Sequence, residues 1–323
     1  MIDLNRPNES DKYNPFAGAN PTVVKDMLIN LTNWSEEHYK LNVERYLQKL
    51  VDLLVKAEIS LCFENILKYM EVDNFLTLST KLVSNKLLTK EEHLANKNMA
   101  NKDMAKIVSG AFARFSTIFE SELGGILSRE GIDIYTALRE NAIILFVLNP
   151  LLYPELSPLF GKLAIIDSKK AVSQLYQQEI KRTFFIFDEI NVYASKSFLD
   201  LINKSRSAGV TCINAAQTLS DLEAADSEAF KKQVVENCNT YIVLRQNSPQ
   251  NAEEWANIIG TKETMNVTYQ LENGGSETGK GSARKTREYI LHPDTIKKME
   301  RGNAFVISKD IKINCSVKFH KPF

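Results

Sequence analysis

Two adjacent carboxylates, Asp188 and Glu189, follow a short run of bulky apolar residues, Phe184–Phe187. A run of this length and composition predicts a strand buried on both faces of a parallel sheet. Side chains at the carboxyl end of such a strand lie at the sheet edge where α/β proteins bind ligands. In P-loop nucleotide hydrolases an aspartate there helps to hold Mg²⁺ on the β- and γ-phosphates, and a following glutamate can polarise the attacking water. The pair therefore predicts ATPase chemistry. The alternative is that the two acids cap the helix predicted at Ser195–Arg206.

Three further polar residues could work with this pair. Gln217 follows the next predicted strand, and its amide can both donate to a phosphate and accept from a water molecule, so we interpret it as a γ-phosphate sensor. Arg206 and Arg245 could each stabilise phosphoryl charge across a subunit interface. The alternatives are a turn cap for Gln217 and, for either arginine, a routine contact with a helix dipole or solvent.

The phosphate-binding loop of such an enzyme, G-x-x-x-x-G-K-[ST], has one near match, Gly274–Gly281. Gly281 follows Lys280, so no hydroxyl is offered to the metal, and the flanking segments Asn266–Leu271 and Thr286–Ile290 both have strand composition. This pattern predicts a polar hairpin loop. The chain has either lost its phosphate loop or begins downstream of it, and we expect no ATP turnover by this chain alone.

Net charge does not indicate a partner, because lysine plus arginine and aspartate plus glutamate both number 40. Contact with DNA would therefore need local clusters of cations. The hairpin group beside the glycines is the preferred DNA-binding candidate, and its alternative is a solvated hairpin. The hairpin group is Lys280, Arg284, Lys285 and Arg287, and a second group is Lys81, Lys86, Lys90, Lys97, Lys102 and Lys106.

Composition also excludes several classes of protein. The four cysteines are scattered without C-x-x-C spacing, which argues against a disulfide framework and a zinc site and for a reducing interior. The four histidines show no metal-ligand spacing either. The N-terminus lacks an apolar signal core. The longest apolar run, Ala142–Leu148, is far shorter than the ~20 residues needed to cross a bilayer. We expect a soluble cytoplasmic chain.

Residues 21–128 predict a compact all-helical unit. Within Tyr39–Leu54 apolar residues recur at three- and four-residue steps. Ser35 is interpreted as the start of this helix. The Asn/Lys-rich stretch Lys97–Lys106 is either a solvated face or a break. Other predicted helices are Ile66–Met70, Phe75–Leu88 and Lys90–Leu127.

Beyond residue 128 strands alternate with helices, which predicts βαβ units. The predicted fold class is α/β: a mostly parallel sheet flanked by helices, with an inserted all-helical domain and antiparallel closing strands in Asn266–Phe319. The predicted strands are Ala142–Leu148, Phe184–Phe187, Val210–Ile213 and Tyr241–Leu244. The predicted helices are Ser157–Gln178 with Ser157 as N-cap, Ser195–Arg206, Pro249–Ile259 and Pro293–Met299.

The order of these motifs resembles the type IV coupling proteins, the ATPases that deliver DNA to conjugative secretion channels. The resemblance covers most of the chain. It rests on these segments: Tyr13–Phe16, Trp34 with the helical block, Phe187–Glu189, Ser205–Val210 with Gln217, Asn237–Asn239, Ala252-Glu253 with Gly260, Gly281-Ser282 with Arg287–Tyr289, His292-Pro293 and Arg301–Ala304.

The resemblance implies a RecA-like nucleotide-binding domain formed by residues 1–20 and 129–323, with residues 21–128 as an inserted all-alpha domain. It implies ATP and Mg²⁺ as cofactors, with Asp188 as metal ligand and Asp188 and Gln217 at the nucleotide. It further implies a homo-hexamer at the cytoplasmic face of the cell membrane, with DNA, relaxosome proteins and a type IV secretion channel as partners. Two alternatives stay open: a secretion-channel ATPase of the same fold, and a non-hydrolysing adaptor that binds relaxase or effector proteins.

Overall fold

The computed structural model describes residues 1–32, 34–176, 182–271 and 277–320, with the side chains of residues 269–281 excepted. The chain divides into two compact units, Met1–Ala215 and Ala216–Phe323, called here the first and second units. Among the described residues the strands form four small sheets. The single, mostly parallel sheet expected from the sequence is therefore not observed as one continuous sheet.

The first unit is mainly helical. Its helices are α1 (Pro21–Leu31), α2 (Glu37–Lys56), α3 (Phe63–Met70), α4 (Val72–Ser84), α5 (Lys90–Met99), α6 (Lys102–Phe119), α7 (Ile134–Arg139), α8 (Leu156–Leu175) and α9 (Lys196–Lys204). Its strands are β1 (Ile2–Asp3), β2 (Phe146–Val147), β3 (Thr183–Phe187) and β4 (Val210–Asn214).

The helices of residues 21–128 confirm the reading of the apolar pattern, with differences at their ends. In α2 the predicted apolar positions, Tyr46 and Leu50 among them, are fully buried. The helix starts after Glu36 rather than Ser35. The Asn/Lys-rich stretch contains a break, because α5 ends at Met99 and the side chain of Asn101 accepts from Met104 N to cap α6.

A buried charged cluster joins the N-terminal segment to helix α8. The Lys170 ammonium lies 2.9 Å from Asp167 Oδ1 and 3.2 Å from Asp133 Oδ2, and it donates to Pro15 O at 2.8 Å. Tyr13 donates its hydroxyl to Asp167 Oδ2 at 2.8 Å. The side chains of the lysine and both aspartates are at most 4% exposed. Burial is tolerated here because each charge has an opposite charge and hydrogen bonds.

Two predictions about α8 and the strand before it are wrong in detail. Helix α8 is preceded by Glu155, and Ser157 lies inside it, where its hydroxyl accepts from Asn149 N at 3.2 Å. Of the buried strand predicted at Ala142–Leu148, only β2 forms, pairing in parallel with β1, and Ile143 is 96% exposed. Strand β1 has only two residues, so its pairing with the apolar run extends over two residues, Phe146 and Val147.

Strands β3 and β4 pair in parallel, with Thr183 opposite Val210 and Phe187 opposite Asn214. The strand predicted at Phe184–Phe187 is confirmed, but its burial on both faces is wrong. Phe185 is 9% exposed, whereas Phe184 and Ile186 on the other face are 61% and 72% exposed. Helices of the first unit cover only one side of this two-stranded sheet.

The second unit contains α10 (Leu219–Ala225), α11 (Glu228–Glu236), β5 (Thr240–Val243), α12 (Pro249–Ile259), β6 (Thr261–Leu271), β7 (Glu277–Tyr289), α13 (Pro293–Lys297), β8 (Asn303–Ser308) and β9 (Ile313–Lys318). The helix predicted at Pro249–Ile259 is confirmed with both ends, and Gly260 after it has φ +94°, a conformation that suits glycine.

Two antiparallel sheets form in the second unit. Strand β8 lies between β5 and β9, and its inner side packs on α12 and α13 in a core that includes Val243, Ala256 and Ile296. The predicted strand Tyr241–Leu244 is present as β5, but its partner β8 is antiparallel, so its assignment to a parallel sheet is wrong. Strands β6 and β7 form a separate long hairpin.

Candidate functional site

Asp188 and Glu189 lie at the carboxyl ends of two parallel strands. Two hydrogen bonds extend the pairing beyond the strand ends: Ala215 N, one residue after β4, donates to Phe187 O at 2.8 Å, and Ile190 N, three residues after β3, donates to Ala215 O at 3.1 Å. Both acidic residues are exposed. The two carboxylates therefore follow β3 at the edge where ligands bind in α/β proteins.

The backbone at this point has an uncommon conformation. Glu189 has φ 49° and ψ 53°, the left-handed region, which costs a residue other than glycine about 1–3 kcal/mol and persists where the surroundings hold it. Two hydrogen bonds hold it: Glu189 N donates to Asp188 Oδ1 at 3.1 Å, and the Tyr193 hydroxyl donates to Asp188 O at 2.5 Å. A 3₁₀ turn, Ile190–Tyr193, follows.

Aromatic packing holds the strand end and this turn against helix α9. The Phe187 ring meets Phe198 of α9 edge to face at a centroid distance of 5.3 Å and lies 6.4 Å from the Tyr193 ring. Burial raises the pKa of Tyr193, and the negative charges of Asp188 and Glu189 raise it further. The tyrosine is thus a hydrogen-bond donor at neutral pH that holds the main chain beside the carboxylates.

The alternative that the acids cap the following helix is wrong. Helix α9 is capped by Ser195, whose hydroxyl accepts from Phe198 N at 3.3 Å. Among the described residues no lysine or arginine forms an ion pair with Asp188. Its exposed carboxylate is chemically suited to a hard cation such as Mg²⁺.

Gln217 lies three residues after β4 and is exposed. Helix α10 is capped by Thr218, whose side chain accepts from Asp221 N at 3.1 Å, so Gln217, the alternative cap, is not the N-cap of this helix. Asp188 belongs to the first unit and Gln217 to the second. The sensor role therefore stays a prediction.

The two arginines are both exposed. Arg206 begins the 3₁₀ turn Arg206–Ala208 after α9, and Arg245 lies two residues after β5. Neither forms an ion pair with a described residue. Their roles across a subunit interface stay predictions.

The described members of the hairpin group of cations lie on two faces of the β6–β7 ribbon. Within the near match to a phosphate loop, Gly274–Gly281, the first three residues and the side chains of the other five, Lys280 included, lie outside the described part of the structure. The hairpin itself is confirmed by the pairing of β6 with β7. Arg284 faces one side of this ribbon, while Lys285 and Arg287 face the other, because side chains alternate along a strand. These three cations are therefore divided between two faces, and the DNA-binding role of the group stays a prediction.

Two other kinds of feature, metal clusters and membrane spans, are absent from the described part of the chain. No group of three or more His, Cys, Asp or Glu side chains there could hold a metal ion. No described helix combines the length and the apolar character that a membrane span requires.

Sequence reasoning missed the left-handed Glu189 and the Tyr193 contact. A glutamate gives no signal for positive φ, since glycine and asparagine are the residues that favour it. Tyr193, four residues after Glu189, is visible in the sequence. Its hydrogen bond to Asp188 O could not be predicted, because the bond depends on the 3₁₀ turn between them.

Comparison with known proteins extends these observations. Residues 182–301 match the family described as the TraM recognition site of TraD and TraG. An uncharacterized protein of Mycoplasma pneumoniae is 27% identical over 129 residues, which are 40% of this chain and 83% of that protein.

Solved structures share the fold. The unbound bacterial conjugative coupling protein TrwB matches with a TM-score of 0.74 at 14% identity, covering 100% of this chain and 74% of TrwB. TrwB in complex with ADP and Mg²⁺ matches with a TM-score of 0.69 at 14% identity, covering 100% and 73%. At this identity the likeness shows a shared fold.

The segment matched by the family contains Asp188, Glu189 and Gln217, the residues predicted to carry the chemistry. The motif order covers most of the chain, and the fold likeness covers all of it. Together these findings show that residues 182–301 are similar to the TraD and TraG family and that the chain shares the fold of the coupling protein TrwB.

Proposed function

We propose that this chain supplies the metal-binding and water-activating residues of a coupling ATPase that recruits and moves DNA in conjugative transfer. The observation that carries the proposal is the exposed Asp188–Glu189 pair at the carboxyl end of β3, on a left-handed turn held by Tyr193. TrwB, which shares the fold, has been solved with ADP and Mg²⁺ and with a non-hydrolysable ATP analogue.

The two carboxylates have different roles in this proposal. Asp188 is the metal ligand, because a carboxylate is a hard oxygen donor. Glu189 orients the attacking water and accepts its proton. Gln217 reports the state of the γ-phosphate, and Arg206 and Arg245 act on the nucleotide of a neighbouring subunit. ATP supplies the phosphoryl group.

The phosphate loop must come from outside the described elements. The sequence has no G-x-x-x-x-G-K-[ST] motif, and the face of the β3–β4 sheet that carries Phe184, Ile186 and Ile213 is exposed. Parallel strands are normally covered on both faces. We propose that a strand–phosphate loop–helix unit covers this face, so that this chain is the second part of a larger ATPase.

The proposed partners follow from the family. TraD and TraG carry a TraM recognition site in the region that matches residues 182–301, and we propose that this chain likewise binds a relaxosome protein. A homo-hexamer at the cytoplasmic face of the cell membrane, in contact with a type IV secretion channel, completes the proposal.

The first experiment compares hydrolysis with binding. In a polypeptide that joins this chain to its phosphate-loop unit, Glu189→Gln should abolish ATP hydrolysis and retain nucleotide binding, because the amide keeps the shape but cannot act as a base. Asp188→Ala should weaken Mg²⁺-dependent binding of a fluorescent ATP analogue. Glu236→Gln, an exposed glutamate on α11, is the matched control and should behave like the parent.

Three outcomes are decisive. Parental hydrolysis by both variants would show that the assignment of Asp188 and Glu189 is wrong. Hydrolysis by this chain alone, lost in Glu189→Gln, would contradict the need for an added phosphate-loop unit. Absence of nucleotide binding by the joined polypeptide would favour the non-hydrolysing adaptor, which the missing phosphate loop also supports.

A further inference from the structure

The β6–β7 hairpin is a long two-stranded ribbon. Strand β6 has 11 residues and β7 has 13, which corresponds to a length of roughly 35–40 Å. At its base the Tyr289 hydroxyl donates to Asn257 Oδ1 on α12 at 3.1 Å. Between Lys262 and Thr268, and between Ser282 and Glu288, the side chains are exposed or half-buried on both faces.

The register of the ribbon separates its residues into two faces. Asn266 lies opposite Arg284, Thr264 opposite Thr286, and Thr268 opposite Ser282. Directly paired residues share a face, and so do residues two apart along a strand. The hydroxyls of Thr264 and Thr286 lie 3.3 Å apart, as this arrangement requires. We call these six residues the Arg284 face.

The Arg284 face is polar throughout. Arg284 is surrounded by four hydroxyls and one amide, and the next pair on the same side of the ribbon, Lys262 and Glu288, contributes one positive and one negative charge. Among the described residues Arg284 has no ion-pair partner. An exposed guanidinium beside hydroxyl and amide donors is suited to phosphate oxygens.

The opposite face has a different character. Met265 is 65% exposed and Val267 is 49% exposed. The cations of this face already have partners: Lys285 Nζ lies 3.7 Å from Glu263 Oε2, and Arg287 Nε donates to Thr261 Oγ1 at 3.0 Å. A polyanion on this side would have to compete with Glu263 and cover apolar side chains.

We propose that the Arg284 face binds the phosphodiester backbone of DNA. The inference rests on the proposed function, since it assigns the DNA contact of the coupling ATPase to one side of one hairpin. Because arginine, hydroxyl and amide donors reach phosphate and sugar, the contact is independent of base sequence and weakens with salt. In this proposal DNA touches only the Arg284 face, and Lys285 and Arg287, on the opposite face, make no contact with it.

Adjacent residues provide the test. Arg284→Ala and Lys285→Ala remove the same charge one residue apart, on opposite faces of the ribbon. The full chain and both variants are titrated into a short fluorescent single strand and its duplex between ~50 and ~200 mM salt. We expect Arg284→Ala to lower affinity several-fold and to reduce the salt slope by about one. Lys285→Ala should change both much less, and Arg284→Lys should restore most of the slope.

Other outcomes would contradict, one by one, the assignment of the face, the binding of DNA and the contact with the backbone. If the parent binds DNA and Lys285→Ala weakens binding as much as Arg284→Ala, the face assignment is wrong while the DNA function stands. If the parent shows no salt-dependent binding, both the inference and the DNA part of the proposed function are overturned. A strong preference among base sequences would contradict contact with the backbone.

Discussion

The first unit contains two groups of carboxylates that differ in almost every respect. Asp133 and Asp167 are buried around Lys170 and accept hydrogen bonds from the protein itself. Asp188 and Glu189 are exposed at the end of β3, on a turn with left-handed backbone. The first group connects α8 to the N-terminal segment, whereas the second follows a strand and consists of two exposed residues.

The difference separates a structural role from a chemical one. A buried charge must be neutralised by its own protein, because removing it from water is costly. Accordingly burial raises the pKa of Asp167, and the Lys170 charge opposes that rise. A carboxylate that is to bind an added cation must instead stay accessible. Asp188 and Glu189 meet this requirement, since both are exposed, and their position at the carboxyl end of β3 supports their proposed role.

The largest expected effect concerns the buried cluster. Lys170→Met should lower the free energy of unfolding by about 3–5 kcal/mol, because it leaves two buried carboxylates without their cation. Lys169→Met is the matched control on the same helix. Its ion pair with Asp200 is partly exposed, so the loss should be at most about 1 kcal/mol. Urea denaturation followed by circular dichroism measures both. Equal losses in the two variants would remove the contrast between buried and exposed charges.

The second prediction is a gain in stability. Glu189→Gly should raise the free energy of unfolding by about 1 kcal/mol, because glycine adopts positive φ without strain. The same variant should abolish hydrolysis in the joined polypeptide. Glu58→Gly is the matched control: Glu58 is exposed and has φ 56°, so stability should rise likewise while hydrolysis is unchanged. A loss of stability in Glu189→Gly alone would show that its side chain stabilises the fold.

The smallest effect concerns an exposed carboxylate that already has partners. The Thr89 backbone N–H and the Lys56 ammonium lower the pKa of Glu92 from 4.5 to about 2. A lowered folded-state pKa gives stability that is present above pH 4.5 and is lost as the pH falls towards 2. The parent should therefore lose more Tm over this window than Glu92→Gln, whose amide can cap α5 but does not titrate.

Glu91→Gln, at the neighbouring exposed position, should follow the parent through the same pH window. Identical acid-dependent Tm losses in the parent and Glu92→Gln would show that the capping box and the Lys56 contact contribute no pH-dependent stability. Unlike Glu92, which pairs with Lys56, Asp188 forms no ion pair with a described lysine or arginine.

Local pattern was sufficient for several elements. Apolar spacing predicted α2, and Pro249 and Gly260 predicted both ends of α12, because proline suits a first helical turn and glycine a helix end. The run Phe184–Phe187 predicted β3, and strand composition on both sides of the glycines predicted the hairpin. These features depend on residues close together in the chain.

The errors concern partners that are distant in the chain. Strand β5 reads as part of a parallel sheet, but its observed neighbour β8 is antiparallel and begins some sixty residues later. The exposure of Phe184 and Ile186 depends on which layers cover the sheet. The hairpin cations appeared as one cluster in the sequence, and only the register divided Arg284 from Lys285.

The sequence by itself determined the chemistry available to this protein: an acid pair after an apolar strand, a hairpin with cations, and motifs in the order of a coupling protein. Tertiary structure decided which of these groups are accessible and what holds them. Tyr13 and Asp167 are 154 residues apart yet share a hydrogen bond, whereas the acid pair stays exposed. Residue type sets what a side chain can do, while burial and pairing depend on contacts between distant segments, which no local pattern encodes.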